Sequence, residues 1–388
     1  MKMKVLASTK LGYDLPVEEA IKFSGTEAGF CYMPADVDTL LNEEEAKTLR
    51  RAKGTMVSGH HSVFGHPTYN FALEEVPKIM AMILNNEKVY QTSEKSARYT
   101  KMKPSKEEAE LYEKWIEIYK REIDKIYPVT EGEKPEKRET AITKKAQENA
   151  RYLISIFTPA TSMGHSLDFR QLNYLIHWSE KYIKEEENTD FNNLLKPVLE
   201  EFIKTFEKYK VDEINTENKE RKFSLFADRE RDEEWGENYS TNYLGTFSQL
   251  AQAQRHRTLS YEISFLDKPQ YYVPPVIRGT ELEKEWLKDI SSLEKYYPQG
   301  MLVKINERGT VENFVLKCKE RLCGEAQLEI ALQTADIMKK YLANTKDVKP
   351  AVYNYLLKYS RGARCSFPGF KCLKPCIWTG RKALDRKV

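Results

Sequence analysis

The sequence predicts a mixed α/β (α+β) chain built from two similar halves. Three observations carry that expectation. Long segments repeat apolar residues at three- and four-residue steps, the helical period. Thr68-Tyr69-Asn70-Phe71-Ala72-Leu73 alternates as a half-buried strand does, and Asn242 to Gln249 is a weaker counterpart. Between Lys208 and Glu237 the chain is dense in charge and poor in apolar residues apart from Phe223-Ser224-Leu225-Phe226, and elements follow in a similar order on either side.

Each element has a local cause. Pro104-Ser105 opens a helix whose apolar residues Leu111, Trp115, Ile118, Tyr119, Ile123 and Ile126 share one face, and Pro128 ends it. Thr130 to Lys137 carries charge, Gly and Pro and reads as an exposed loop. Thr140 to Phe157 is the next predicted helix, then Phe169 to Lys184, then Leu194 to Tyr209. In the second half an irregular turn at Pro274-Pro275 precedes helices over Glu281 to Tyr296 and Val311 to Leu342.

At 388 residues, with 40% hydrophobic and 11% aromatic content, the chain suits two packed domains and not a disordered polymer. Its 62 basic side chains nearly cancel 59 acidic ones, so a net charge of +3 argues against a nucleic-acid or membrane-surface partner. No apolar run approaches the roughly 18–20 residues of a membrane span. The start, Met1-Lys2-Met3-Lys4-Val5-Leu6-Ala7, lacks the apolar stretch of a secretion signal, so a cytoplasmic location is expected. There the six cysteines are thiols or metal ligands, not disulfides.

Neither common glycine-rich phosphate loop is present, nor a GxSxG elbow. A nucleotide site must therefore be built from side chains, chiefly arginines. Arg255-His256-Arg257 is such a donor cluster: guanidinium groups grip phosphate through paired hydrogen bonds at any working pH. A histidine between two arginines favours its neutral form. Taken alone, the triplet reads as a solvated basic turn. Near the end, Cys365, Cys372 and Cys376 cluster with Pro368, Gly369 and Pro375. They read either as a short zinc- or iron-bound knuckle, with a fourth ligand from Cys318, Cys323 or elsewhere, or as unliganded thiols.

The context of the triplet changes its reading. Gln252 precedes it, and Arg255-His256-Arg257-Thr258-Leu259-Ser260 resembles the start of the flavin-dependent thymidylate synthase signature, RHRxxSxNExSxR. The match then decays: Glu262 stands for Asn, Ile263 for Glu, and Asp267 for the closing Arg. Glu94-Lys95-Ser96-Ala97-Arg98-Tyr99-Thr100 resembles the missing tail, with Asn86, Glu87 and Lys88 at its RHR positions. His60, Ser62 and His66 match the family's HxSxxEH element, with Gly65 replacing its glutamate. Arg151 begins a segment like the family's arginine-bearing helix, with Thr161 and Arg170 in later register. Arg321 followed by Ala326-Gln327-Leu328-Glu329-Ile330 resembles its closing arginine and AQ-x-EI helix.

The resemblance implies two diverged copies, 1–210 and 211–362, and a cysteine-containing tail, 363–388. Each copy would be a small, mostly antiparallel sheet packed with long helices. It implies reductive methylation of dUMP to dTMP, with methylenetetrahydrofolate as carbon donor and FAD, recharged by NADPH, as hydride carrier. Arg255, His256, Arg257, His60, Ser62 and Arg170 would contact FAD. Gln252, Glu94, Ser96, Arg98, Arg151 and Arg321 would hold dUMP, with Arg321 and Ser96 in the catalytic positions. Each copy keeps what the other lacks, so a homodimer would mimic the family's usual tetramer. The alternatives are a flavin enzyme acting on another nucleotide or one-carbon donor, and a non-catalytic nucleotide- or partner-binding paralogue.

Overall fold

A computed structural model describes residues 4–95, 102–215, 222–373, 376–378, 380 and 382–388. It is mixed α/β with small antiparallel sheets. Helices α1 (Val17–Tyr32), α2 (Val37–Leu41) and α3 (Glu45–Val57) lead into strand β1 (Thr68–Pro77). A short helix α4 (Lys78–Leu84), strand β2 (Tyr90–Glu94), helices α5 (Lys106–Ile126) and α6 (Pro135–Ala150) and strand β3 (Pro159–Asp168) follow. Helices α7 (Phe169–Glu185) and α8 (Asp190–Phe206) precede the charged stretch. Beyond it run β4 (Glu234–Trp235), β5 (Asn238–Thr246), α9 (Phe247–Ala253), β6 (Ser260–Ser264), α10 (Glu281–Ser292) and β7 (Leu302–Thr310). Helices α11 (Val311–Arg321), α12 (Leu328–Thr345), α13 (Pro350–Leu357) and α14 (Lys382–Asp385) close the order. No helix among the described residues is long and apolar enough to cross a membrane.

Contacts divide the chain into two compact units that interleave along the sequence. The first holds Met1–Leu73, Lys88–Ser93 and Met163–Lys222; the second holds Glu74–Glu87, Glu94–Ser162 and Phe223–Val388. The core of the first is aromatic, with Tyr69 against Tyr209 (ring centroids 4.8 Å apart) and Phe71 against Phe206 (4.9 Å). In the second, α5 starts where its sequence directs. Ser105 caps it and Glu108 completes the reciprocal capping box, together worth about 1 kcal/mol. Its apolar face buries Trp115, Ile118, Tyr119 and Ile123, and Trp115 meets Trp286 of α10 edge to face at 4.8 Å. Each such buried side chain stabilises by roughly 1.5–3 kcal/mol.

Several predicted boundaries move. The helix expected over Thr140 to Phe157 begins at Pro135, inside the expected loop, because proline suits the first helical turn. It stops at Ala150, and a 3-10 turn, Arg151–Leu153, follows. The strand expected over Asn242 to Gln249 ends at Thr246, whose hydroxyl accepts from Gln249 N (3.0 Å) and so caps α9. The helical stretch Val311 to Leu342 is broken between Arg321 and Leu328. At Gly324 an added Cβ would lie 2.7 Å from Cys376 Sγ and 2.7 Å from Trp378 Cβ, so only glycine fits that close approach.

The two sheets share an arrangement. The order β1-β3-β2 in the first recurs as β5-β7-β6 in the second, with β4 added at the edge. In each set the two strands that flank the central one are joined through a seven-residue helix, α4 or α9, and a 3-10 turn precedes the central strand. Within the second unit the backbone repeats too. Ile79, second residue of α4, donates its N–H to Ile156 O (2.9 Å); Ser248, second residue of α9, donates to Gln299 O (3.2 Å). Between these acceptors the chain pairs with itself: Ile156 N donates to Tyr297 O (3.0 Å) and Gln299 N to Ile154 O (2.8 Å) around a bridge from Ser155 to Pro298. Counted from the first residues of their turns, Arg151 and Glu294, Ser155 and Pro298 are equivalent positions. The bridge therefore lies on a local two-fold axis.

A fully buried ion pair anchors the second sheet. Lys317 of α11 reaches Glu307 of β7 at 2.5 Å, and Glu307 also accepts from Tyr239 (2.8 Å) and Tyr243 (2.9 Å). Removing one partner of such a pair strands the other charge in a low-dielectric interior. Lys317→Met is expected to destabilise by about 3–5 kcal/mol, and adding Glu307→Gln to recover part of that loss. Urea unfolding midpoints measure both; an unshifted midpoint for Lys317→Met would remove the pair from the core's energetics.

Candidate functional site

The break between α11 and α12 opens a cleft inside the second unit. Four cationic side chains line it: Lys78 at the head of α4, Arg151 in the 3-10 turn, Arg255 in the turn after α9, and Arg321 at the last position of α11. Glu148 and Glu325 are the acidic residues on its wall, and Ser248, Gln252, Gln299 and Gln327 supply neutral polar groups. The cleft thus carries a cationic excess without any glycine-rich loop.

Two of the four cations are held by specific neighbours. Lys78 Nζ pairs with Glu94 Oε1 at 2.9 Å, with side chains only 12% and 3% exposed. Burial lowers the Lys78 pKa against the pull of Glu94, and Arg151 and Arg255 add to the lowering. Burial pushes Glu94 the other way, yet Lys78 and then Arg255 keep its carboxyl below the usual range. Arg321 Nε donates to His256 Nε2 at 2.8 Å, and its Nη2 to Gln252 O at 3.1 Å. A guanidinium only donates, so His256 Nε2 is an acceptor and its proton sits on Nδ1. Burial, then Arg321 and Lys317, push the His256 pKa down to about 2, so the ring stays neutral. The neutral form expected from the sequence is the one the site uses, as the orienter of Arg321.

Of the sequence-predicted residues, Gln252, Arg255, Arg151 and Arg321 face the cleft, and Glu94 joins it through Lys78. Arg257 is exposed on the same turn as Arg255. Ser96 and Arg98 lie outside the described residues. His60, Ser62 and Arg170 belong to the first unit. There His60 Nδ1 shares a hydrogen bond with the Tyr32 hydroxyl (2.9 Å), and Ser62 is exposed. Arg170 Nη2 and Asp168 Oδ2 each come within 3.5 Å of where a Gly65 Cβ would sit. Asp168 therefore brings a carboxylate beside the position that lacks the expected glutamate. Burial raises its pKa, opposed by the Gln171 N–H that it caps and by Arg170.

The positions that depart from the signature make structural contacts. Glu262, where Asn is expected, is gripped by Arg231 (2.5 and 2.6 Å) and Arg308 (2.6 Å). Asn86, at an RHR position of the first copy, donates to Ser224 Oγ (2.8 Å) and Tyr261 O (3.0 Å), and Glu87 accepts from Ser224 N. Sequence reasoning missed Lys78, Ser248 and Gln299. Lys78 could have been found as the single charge opening the apolar run Ile79-Met80-Ala81-Met82-Ile83-Leu84, whereas Ser248 and Gln299 carry no local signal.

Among the described residues no group of three or more His, Cys, Asp or Glu side chains stands close enough to hold a metal. Cys376 Sγ donates to Trp378 O (2.8 Å) and Cys365 Sγ accepts from Gly380 N (3.2 Å). The tail instead docks on the second unit: Arg364 N donates to Leu322 O (2.6 Å) and Arg386 Nη2 to Ala326 O (2.6 Å).

Fold and cleft together define a mixed α/β protein with a cationic pocket built from side chains. Residues 17–206 match the family model described as thymidylate synthase complementing protein (Thy1). Arg255-His256-Arg257 and the arginine at 321 lie outside the matched stretch. Comparison with curated proteins and with solved structures gave no match.

Behind the cleft wall lies a buried carboxyl, Glu329. It accepts from Tyr152 Oη (2.7 Å), Thr246 N (3.0 Å) and Thr246 Oγ1 (2.8 Å), yet burial raises its pKa from 4.5 to about 7. A carboxyl raised in the fold holds its proton there while the unfolded chain has lost it. Its contribution is therefore fully present below pH 4.5 and disappears as pH rises through about 7, a swing of roughly 3 kcal/mol. The stability difference between wild type and Glu329→Gln should fall by that order between about pH 4 and 8 in denaturant titrations. A pH-independent difference would show that Glu329 keeps an ordinary pKa.

Proposed function

We propose that the protein is an FAD-dependent thymidylate synthase that converts dUMP to dTMP with methylenetetrahydrofolate and NADPH. Its nucleotide site combines groups from two diverged tandem copies, 1–210 and 211–362. The observation that carries this reading is the shared cleft: Lys78, Glu94 and Arg151 come from the first copy, and Gln252, Arg255 and Arg321 from the second. The family-model match over residues 17–206 and the repeated hydrogen bonds about Ser155 and Pro298 support it.

The residues present fit the chemistry that the family implies. Arg255 and Arg257 are exposed guanidinium donors on one turn, suited to the diphosphate of FAD. His60, Ser62 and Arg170 are the flavin contacts assigned from the first copy. When bound, the flavin supplies the hydride and methylenetetrahydrofolate the carbon. The chain's own task is to fix dUMP and to stabilise charge on its ring. Arg151 and Arg255 neutralise the phosphate, while Arg321, oriented by neutral His256, donates to the ring carbonyl where negative charge develops. The functional unit is a homodimer, two chains taking the place of four single copies.

dTMP formation from dUMP, methylenetetrahydrofolate, NADPH and FAD tests the reading directly. Arg255→Ala and Arg321→Ala are each expected to lower kcat/KM about a hundredfold or more. Unchanged turnover in both would discard the composite site. Flavin-bound protein without dTMP formation would point to another nucleotide substrate, and protein that refuses FAD to a binding paralogue.

A further inference from the structure

One polar atom on the cleft wall has no hydrogen-bond partner among the described residues. Gln327, which precedes α12, is 4% exposed, lines the cleft, and its Oε1 accepts no hydrogen bond. An unpaired buried amide oxygen is costly, and a ligand N–H placed there would offset that cost.

The neighbours of Gln327 determine which end of its amide faces away from Tyr152. Ionised Glu329 can only accept, and it takes donors from Tyr152 Oη, Thr246 N and Thr246 Oγ1. Tyr152 has one proton and gives it to Glu329. Its oxygen is left as an acceptor, and Gln327 Nε2 donates to it. Flipping the amide would set two acceptor oxygens against each other. The chain Glu329, Tyr152, Gln327 therefore fixes Oε1 as the acceptor end of a side chain that lines a cleft whose other named groups are mostly donors.

We propose that Gln327 Oε1 is a specificity-determining acceptor for a ring imide N–H of the bound nucleotide, with Tyr152 and Glu329 as positioning residues that lock its direction. The inference rests on the cleft being a pyrimidine nucleotide site and adds what selects the base. Uracil offers N3–H to such an acceptor. Cytosine offers a lone pair at N3, which two facing acceptors cannot share, and N3-methylation removes the donor altogether.

The test is calorimetric binding of dUMP, dCMP and N3-methyl-dUMP to the full chain at about pH 8, where Glu329 is ionised. Wild type is expected to bind dUMP at least about tenfold more tightly than either analogue. Gln327→Met, close in volume but without the acceptor, should bring the three within about threefold while leaving affinity for inorganic phosphate unchanged. Tyr152→Phe, which keeps Gln327 but frees its amide to turn, should give an intermediate ratio. A Gln327→Met protein with the wild-type ratio, or a wild type that binds dCMP as well as dUMP, overturns the proposal. Should Gln327→Met not fold, a wild-type ratio in Tyr152→Phe overturns the positioning chain. Failure of the parent reading looks different: dUMP binding would then be absent, or indifferent to Arg255→Ala.

Discussion

Like charges in a half-buried cleft repel, and the structure depends on how that repulsion is met. Lys78, Arg151, Arg255 and Arg321 share one pocket, and each must give up part of its hydration to do so. Glu94 compensates Lys78, and burial of that pair keeps the bond tight. Arg321 has no carboxylate in that role; a neutral imidazole and a backbone carbonyl take its protons instead. Burial, then Arg255, lowers its pKa, so the cluster is poised for an incoming anion and not already neutralised from within. A second acid on Arg321 would make the fold more comfortable and the cleft less able to bind phosphate.

The same constraint explains why the local two-fold axis yields an unequal pair of sites. Equivalent positions on the two sides are Ile79 and Ser248, Ile83 and Gln252, and Ile156 and Gln299. Ser248, Gln252 and Gln299 are polar and line the cleft; all three isoleucines are fully buried. At the position equivalent to Arg255, Asn86 ties down Ser224 and the carbonyl of Tyr261. One side has been packed shut with apolar volume, which stabilises the unit, and the other left open and charged, which costs stability but can bind a ligand.

How much of this the sequence disclosed follows from how local each cause is. The α5 helix was legible because its capping box and apolar stripe lie within one stretch. Arg255, Arg321, Gln252 and Arg151 were legible as motif residues, since spacing along the chain survives even when neighbours change. The end of α6 was not legible. Nothing in Tyr152-Leu153-Ile154 forbids helix; the stop comes from pairing with Tyr297 to Gln299, nearly 150 residues later in sequence. The break before α12 was likewise set by Cys376 and Trp378 crowding Gly324. Lys78 escaped notice because its value lies in Glu94, a partner that only the fold brings near.

Gln327 shows where the two kinds of information meet. The motif reading placed Ala326-Gln327-Leu328-Glu329-Ile330 in a family-like helix, which says that the glutamine and glutamate belong together but not what joins them. The structure supplies Tyr152, delivered by the 3-10 turn that also sets Arg151 in the cleft. Arg151 and Tyr152 are adjacent in sequence, so the turn that aims a cation at the anion end also aims a hydroxyl at Glu329. Gly300 keeps that turn close: its N–H donates to Tyr152 O at 2.8 Å, and a Cβ there would come within 2.9 Å of the Tyr152 Cβ. The helix in place of this turn, as periodicity suggested, would lose both alignments at once. The pairing around Ser155 and Pro298 is therefore what lets one short segment serve both the charge and the base recognition proposed for the cleft.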